Sequence, residues 1–323
     1  MITLYGARDG TLVRLPETEP HPEAIWIDLY EPTPEEEEAV ERMIGIEVPT
    51  RQEMAEIEES SRLYRVDGSL VVTTTIIEGA GEGRPARTQA TFVLSARHLV
   101  SVRYGDPLPF RAFEAKWARQ PEARPESDLV FVALIDSIVE RAADVLEYVA
   151  ADLNGVSTHL FVESGARKAK EAEGDLQEIL MRLGRRNMTI SILRESLLSL
   201  TRLVPFVRQG GEGWLSKEAP HRLKQLERDL RSLSAYEGQL TAEIVYLQEA
   251  TLGLINLAQN RVIKVFSIAA VLFLPPTLVG TIYGMNFARM PELDWAFGYP
   301  AALATMVLSA GISFYWFKRK GWL

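Results

Sequence analysis

Short runs rich in β-branched and aromatic residues punctuate the first hundred or so positions. AIWIDLY (24–30), SLVVTTTIIEG (69–79), QATFVLSA (89–96) and HLVSVRYG (98–105) read as strands, with Asp67-Gly68 a turn signal between two such runs. In EPTPEEEEAVERMIG, Thr33 suits a helix N-cap, Pro34 the first helical position and Glu36 the reciprocal place in a capping box. The acids Glu35 to Glu38 are then first-turn residues favoured by the helix dipole, a simpler account than a metal site. A small α/β domain over residues 1–125 is expected.

From Leu129 the texture changes to that of long helices. One helix is predicted from Leu129 to Glu163 and a second from Ala169 to Gln209, separated by the breaker SGAR. The link VRQGGEGWLSKEAP ends the second, and Pro220 opens a third that meets no proline until Pro275. Continued to Tyr283, that third helix is roughly 95 Å long at 1.5 Å per residue. Leu226, Leu230, Leu233, Leu240, Ile244, Leu247 and Leu254 lie on one seam of alternating four- and three-residue steps, broken only by Glu237 and Thr251. Such a seam belongs in a bundle or coiled coil, so residues 126–264 are read as a long-helix region and stalk.

Two uncharged runs follow, Val265–Tyr283 of 19 residues and Phe297–Phe317 of 21, each long enough to cross about 30 Å of hydrocarbon. Trp295, Tyr299, Tyr315 and Trp316 supply interfacial aromatics. Arg261 and Lys264 precede the first run, and Lys318, Arg319 and Lys320 follow the second, so both termini are expected in the cytoplasm. The loop 284–296 is then extracytoplasmic, and 318–323 forms a basic cytosolic tail.

Composition sharpens this picture. The net charge of −9 divides into +4 from Arg261 onward and −13 before it. A large acidic body argues against nucleic-acid binding and permits attraction of cations. There are no cysteines, which excludes disulfides, thiolate metal sites and thiol nucleophiles. The opening MITLYGARDGTLVRLP lacks a basic n-region and an apolar h-region, so no signal peptide is expected. Neither a nucleophile–base constellation nor a G-x-x-x-x-G-K-[ST] phosphate loop occurs, and neither an enzyme nor an organic cofactor is expected.

A polar stripe runs along the first span. Asn256, Asn260, Ile263, Ser267, Ala270, Leu274, Thr277 and Thr281 share one helical face, and five of the eight are polar. Facing lipid would waste these groups, so the stripe should face other helices or water; helix packing and pore lining both satisfy that. Two spans per protomer are too few to enclose a channel, so a pore implies several copies around one axis. Pro275-Pro276 interrupts the backbone bonding, and a kink is expected there.

Tyr283-Gly284-Met285-Asn286-Phe287, followed by Met290-Pro291-Glu292-Leu293, Gly298-Tyr299-Pro300 and a terminal Lys-Arg-Lys-Gly-Trp-Leu, resembles the CorA family of divalent-cation transporters, most closely over residues 256–323. The resemblance implies a homopentameric, funnel-shaped α+β membrane protein of a bacterial inner membrane, carrying Mg²⁺, and Co²⁺ and Ni²⁺ besides. Tyr283, Gly284, Met285 and Asn286 would form its outer mouth, with Gly284 permitting the turn that ends the helix. Neutral carboxamides and carbonyls can hold hydrated Mg²⁺ through its waters. Glu292 and Asp294 would concentrate cations at the outer loop. Inside, Asn260, Ser267 and Thr277 would give polar rings, and Ile263 and Leu274 apolar constrictions that gate by dewetting. Lys264 is expected to point outward, toward the lipid headgroups. Family members close when cytosolic Mg²⁺ occupies acidic sites between neighbouring subunits, for which Asp229, beside Glu227, is the nearest candidate; ordinary surface acids paired with Arg228 or Arg231 are the competing account.

Passive influx needs no ATPase, because a divalent ion gains about 4.6 kcal/mol across 100 mV. A zinc-transporting relative is the alternative within transport, disfavoured by the scatter of His21, His98, His159 and His221, none of them in the spans or loop. The alternative outside transport is a membrane-tethered coiled-coil sensor, which would need no polar stripe.

Overall fold

The computed structural model describes residues 1–8, 10–16, 19–117, 125–163, 169–285, 290–291 and 295–320. They divide into two compact units, Met1–Gly165 with Ile179–Gln248, and Ala166–Glu178 with Glu249–Leu323.

The first unit is built on a seven-stranded sheet: β1 (Ile2–Arg8), β2 (Thr11–Arg14), β3 (Ala24–Tyr30), β4 (Leu63–Val66), β5 (Ser69–Glu78), β6 (Ala86–Leu94) and β7 (Leu99–Arg103), in the order β2-β1-β3-β7-β6-β5-β4. The β3–β7 pairing is parallel and the other five are antiparallel. All four expected strands are present. The three additional ones are β1 and the short edge strands β2 and β4. Asp67 and Gly68 turn between β4 and β5 with φ of 47° and 81°, the left-handed pair that a two-residue hairpin requires.

One sheet face packs on the helices α1 (Pro34–Ile44) and α2 (Arg51–Met54): Val40 and Met54 close over Leu4, Ile27, Leu29, Val71, Val93, Val100 and Val102. As expected, Thr33 caps α1, accepting from the Glu36 backbone N–H while the Glu36 carboxylate accepts from the Thr33 N–H; Gly45, at φ 72°, closes its other end. A short helix α3 (Glu59–Arg62) leads into β4.

The opposite face is aromatic and polar. Trp26 stacks on Tyr5 at 4.3 Å and meets Phe113 of α4 (Leu108–Trp117) edge-on at 5.1 Å, and Phe92 meets Phe131 of α5 (Ser127–Thr158) at 5.5 Å. Beneath them runs a buried chain: Trp26 Nε1 donates to Ser101 Oγ at 2.8 Å, Ser101 donates to Asp28 at 2.7 Å, and Arg103 forks onto the same carboxylate at 2.9 Å through Nη2. Every member is satisfied, which is the condition for burying charge.

Three long helices follow. α5 ends in a π-helical turn, His159–Glu163; α6 is Ala169–Gly210; α7 is one helix of 65 residues, Ala219–Tyr283. Their predicted bounds hold to within about two residues, which is how far helix-end definitions differ. α5 lies in this unit, and α6 and α7 contribute to it their residues 179–210 and 219–248. Asp152 of α5 binds both Arg182 and Arg186 of α6. α6 in turn is joined to the sheet by Ser199 Oγ and Thr74 Oγ1 at 2.7 Å. On α7 the seam residues Leu226, Leu230, Leu240, Ile244 and Leu247 are buried, and so are the two that break the pattern, Glu237 and Thr251. The interruptions therefore belong to the seam.

Candidate functional site

α7 runs through Pro275 and Pro276 without a break in its helical assignment and ends at Tyr283, and α8 is Gly298–Arg319. Both are long and apolar enough to cross a membrane. Proline has no N–H, so the carbonyls of Val271 and Leu272 lose their usual partners one turn later.

The span part of α7 has two faces. Ile268, Ala269, Leu272, Pro275, Pro276, Val279, Gly280 and Tyr283 are half-buried. On this face a Cβ added to Gly280 would meet Met306 Cε of α8 at 3.2 Å, so glycine here lets the two helices approach closely. At about 100° per residue the polar stripe lies on nearly the opposite side of α7. Asn256, Asn260, Ile263, Ala270, Leu274, Thr277 and Thr281 are exposed, Ile263 at 61% and Leu274 at 68%, and Ser267 is half-buried. Within one chain the stripe is thus turned away from the second span and open to another partner. Lys264 is exposed and sits about 90° around the helix from the centre of the stripe.

Two hydroxyls of the stripe have a defined orientation. Thr277 Oγ1 donates to the carbonyl of Phe273 at 2.7 Å, and Thr281 Oγ1 donates to that of Thr277 at 2.8 Å. A hydroxyl has one hydrogen, so each oxygen turned outward keeps only acceptor lone pairs. Oriented in this way the pair suits a cation, or the water hydrogens of a hydrated one.

At the C-terminal end of α7, the Gly284 N–H donates to the Gly280 carbonyl at 3.0 Å, and Met285, 44% exposed, follows. α7 ends immediately before Gly284, which turns without a positive φ. The nearest atom a Cβ at Gly284 would meet is the Gly280 carbonyl oxygen that its own N–H bonds, an approach ordinary for helical backbone. Asn286, Glu292 and Asp294 lie outside the described residues.

Asp229 is exposed on α7 and makes no ion pair among the described residues, so the expected pairing with Arg228 or Arg231 is not found there. Glu227, its neighbour, is occupied by Arg208 Nε at 2.7 Å. Of the acids named on this helix, Asp229 keeps its carboxylate available. The stripe was legible from spacing alone. The Gly280–Met306 approach and the hydroxyl orientation were not, because they depend on a second helix and on rotamers; the one available signal was a glycine one turn before Gly284.

Comparison with known proteins agrees with this layout. The family model described as CorA-like Mg²⁺ transporter protein matches residues 22–319. The magnesium transport protein CorA of Escherichia coli (strain K12) is 30% identical over 325 residues, covering 100% of each chain. That of Pasteurella multocida (strain Pm70) is 31% identical with the same coverage. Among solved structures, the complete CorA magnesium transporter from Methanocaldococcus jannaschii matches with a TM-score of 0.76 at 18% identity, over 100% of this chain and 99% of that one. The full-length CmaX protein matches at 0.70 and 17% identity, over 99% and 97%.

Proposed function

We propose, from the premise that this chain belongs to the CorA family of Mg²⁺ transporters, a path for the ion along the stripe of α7. The protein is a Mg²⁺ transporter, and its family is one of transporters rather than enzymes. In our reading, identical copies, five by resemblance to the family, turn this face of α7 toward a common axis, with α8 on the lipid side. The observation that carries this is the exposure of the stripe opposite the α8 contact, with Thr277 and Thr281 presenting acceptors.

Mg²⁺ gives up its waters reluctantly. A ring of neutral oxygens can accept hydrogen bonds from those waters and pass the ion on hydrated, while weak, repeated sites allow it to leave. Tyr283, Gly284, Met285 and Asn286 form the entry in this reading, with Glu292 and Asp294 raising the local cation concentration. Thr281, Thr277, Ser267 and Asn260 are successive acceptor positions, Ala270 leaves width, and Leu274 and Ile263 are the apolar constrictions that dewet in the closed state. Influx is passive, down the membrane potential, from outside to a cytosol that holds both termini and the acidic body. Cytosolic Mg²⁺ at Asp229, between neighbouring copies, closes the path.

The test is flux of Mg²⁺, Co²⁺, Ni²⁺ and Zn²⁺ into vesicles holding the purified protein, with and without an imposed potential. Potential-driven entry of Mg²⁺, with Co²⁺ and Ni²⁺ following, is expected. Preferential Zn²⁺ flux, or Mg²⁺ flux unaffected by potential, would overturn the reading.

A further inference from the structure

The leucine seam of α7 contains one buried carboxylate, and its surroundings give it a role distinct from packing. Glu237 Oε1, in a side chain only 7% exposed, accepts from Arg194 Nη2 at 2.8 Å, from Arg194 Nε at 3.1 Å and from Thr241 Oγ1 at 2.8 Å. Arg194 Nη2 also donates to Thr241 at 2.9 Å, so a single guanidinium of α6 spans one full turn of α7.

We propose that this Arg194–Glu237–Thr241 clamp, and not the apolar seam, holds α7 in a single arrangement on α6. Leucine–leucine burial is non-directional, and neighbouring seam residues can replace one another when a helix rolls or shifts. The clamp is directional, because the donors of a planar guanidinium meet one oxygen in one orientation. Glu237 is buried but Arg194 is 54% exposed, so the pair closes the edge of the seam; an ion pair with one solvent-exposed partner adds little stability, and its gain lies in specificity. The second α6–α7 ion pair, Arg208–Glu227, lies near the short link 211–218, where chain continuity already ties the helices together. The clamp sits 14 residues before Arg208 on α6, about 21 Å from that second ion pair. There it is the directional contact between the two helices among the described residues.

The absence of cysteine makes this chain a ready background for the test. Met188→Cys and Val245→Cys place spin labels at exposed positions of α6 and α7, 58% and 46% accessible. Labelled subunits are diluted into unlabelled ones so that only distances within one chain are read. The clamp intact should give one narrow distance distribution. Glu237→Leu should broaden or split it while the melting temperature holds or rises, and Glu237→Gln, whose amide oxygen still accepts from Arg194 and Thr241, should keep it narrow. A chain in which Arg194→Met and Glu237→Met are combined gives the same reading if the leucine variant does not assemble. A distribution as narrow in the apolar variants as in the parent would overturn the proposal, and so would equal broadening in Glu237→Gln. None of these readouts depends on ion flux.

Discussion

Thr281 donates its hydroxyl hydrogen to the carbonyl of Thr277, 2.8 Å away and one helical turn earlier. That bond fixes which half of the hydroxyl faces outward, and Thr277 repeats the arrangement on Phe273. A residue type with weak preference for helices is thereby turned into an oriented acceptor on a helical face.

The first prediction follows from that orientation. Thr277→Val keeps the shape and removes the acceptor from every copy, each worth about 1 kcal/mol, so Mg²⁺ flux should fall about tenfold or more. Thr277→Ser restores the oxygen and should recover most of the flux. Equal flux in the valine variant would remove Thr277 from the path.

Asn286→Ala should abolish Mg²⁺ uptake while the assembled protein still elutes as the parent does. Its neutral carboxamide, next to Met285 at the outer end of the stripe, is the entry group in the proposed path. Uptake at the parental rate would refute that role.

Asp229 is exposed and without an ion-pair partner among the described residues. Asp229→Ala should leave transport running at cytosolic Mg²⁺ concentrations that close the parent. Protection of the chain from protease by Mg²⁺, undiminished in the variant, would count against it.

Gly280 faces Met306 Cε at the distance where one added carbon is just felt. Gly280→Ala should be near neutral or slightly stabilising, because the methionine end can move and alanine gains about 1 kcal/mol of helix propensity, whereas Gly280→Val should cost about 1–3 kcal/mol by overpacking. Met306→Ala should recover part of the valine loss, as read in melting temperatures.

Asp152 sits between α5 and α6. Burial pushes its carboxyl up, but hydrogen bonds from Arg182 and Arg186 outweigh that and hold it below the ordinary carboxylate value. A depressed folded-state value means stabilisation that is present above the unfolded value, about pH 4, and lost as the pH falls through the folded one. Asp152→Asn should therefore lower stability at pH 7 by about 1–3 kcal/mol and flatten its decline below about pH 4. Parallel acid-unfolding curves for the two proteins would contradict this.

How much was legible in the sequence differs by element, and the reasons are physical. The Thr33–Glu36 capping box and the strands β3, β5, β6 and β7 were readable because their signals are local. β2 and β4 were missed because each is a four-residue edge strand whose identity comes from its neighbour, Tyr5 pairing with Arg14 and Arg65 with Leu70. β1 was missed for another reason: it passes through Gly6, where its register against β3 shifts. On α7 the stripe was readable from spacing, and so was the seam. That Glu237 is buried inside the seam could not be read, because its partner Arg194 lies 43 residues away on another helix. Gly284 shows the limit of composition in a different way. Its presence at a helix end pointed to backbone freedom, whereas its φ is not positive and its N–H still follows the helical bonding pattern.

The single parallel pairing in the sheet also sets an order of events during synthesis. β1 can pair with β2 and β3 on its two sides, and β4 to β7 can zip as a meander, each from neighbouring sequence. The two sheets join only when residues 99–103 reach 26–30. Long-range closure of this kind is slow compared with hairpin formation. A ribosome that has released only the first ninety or so residues holds two half-sheets with apolar edges open. Until β7 emerges, β3 keeps one unpaired edge.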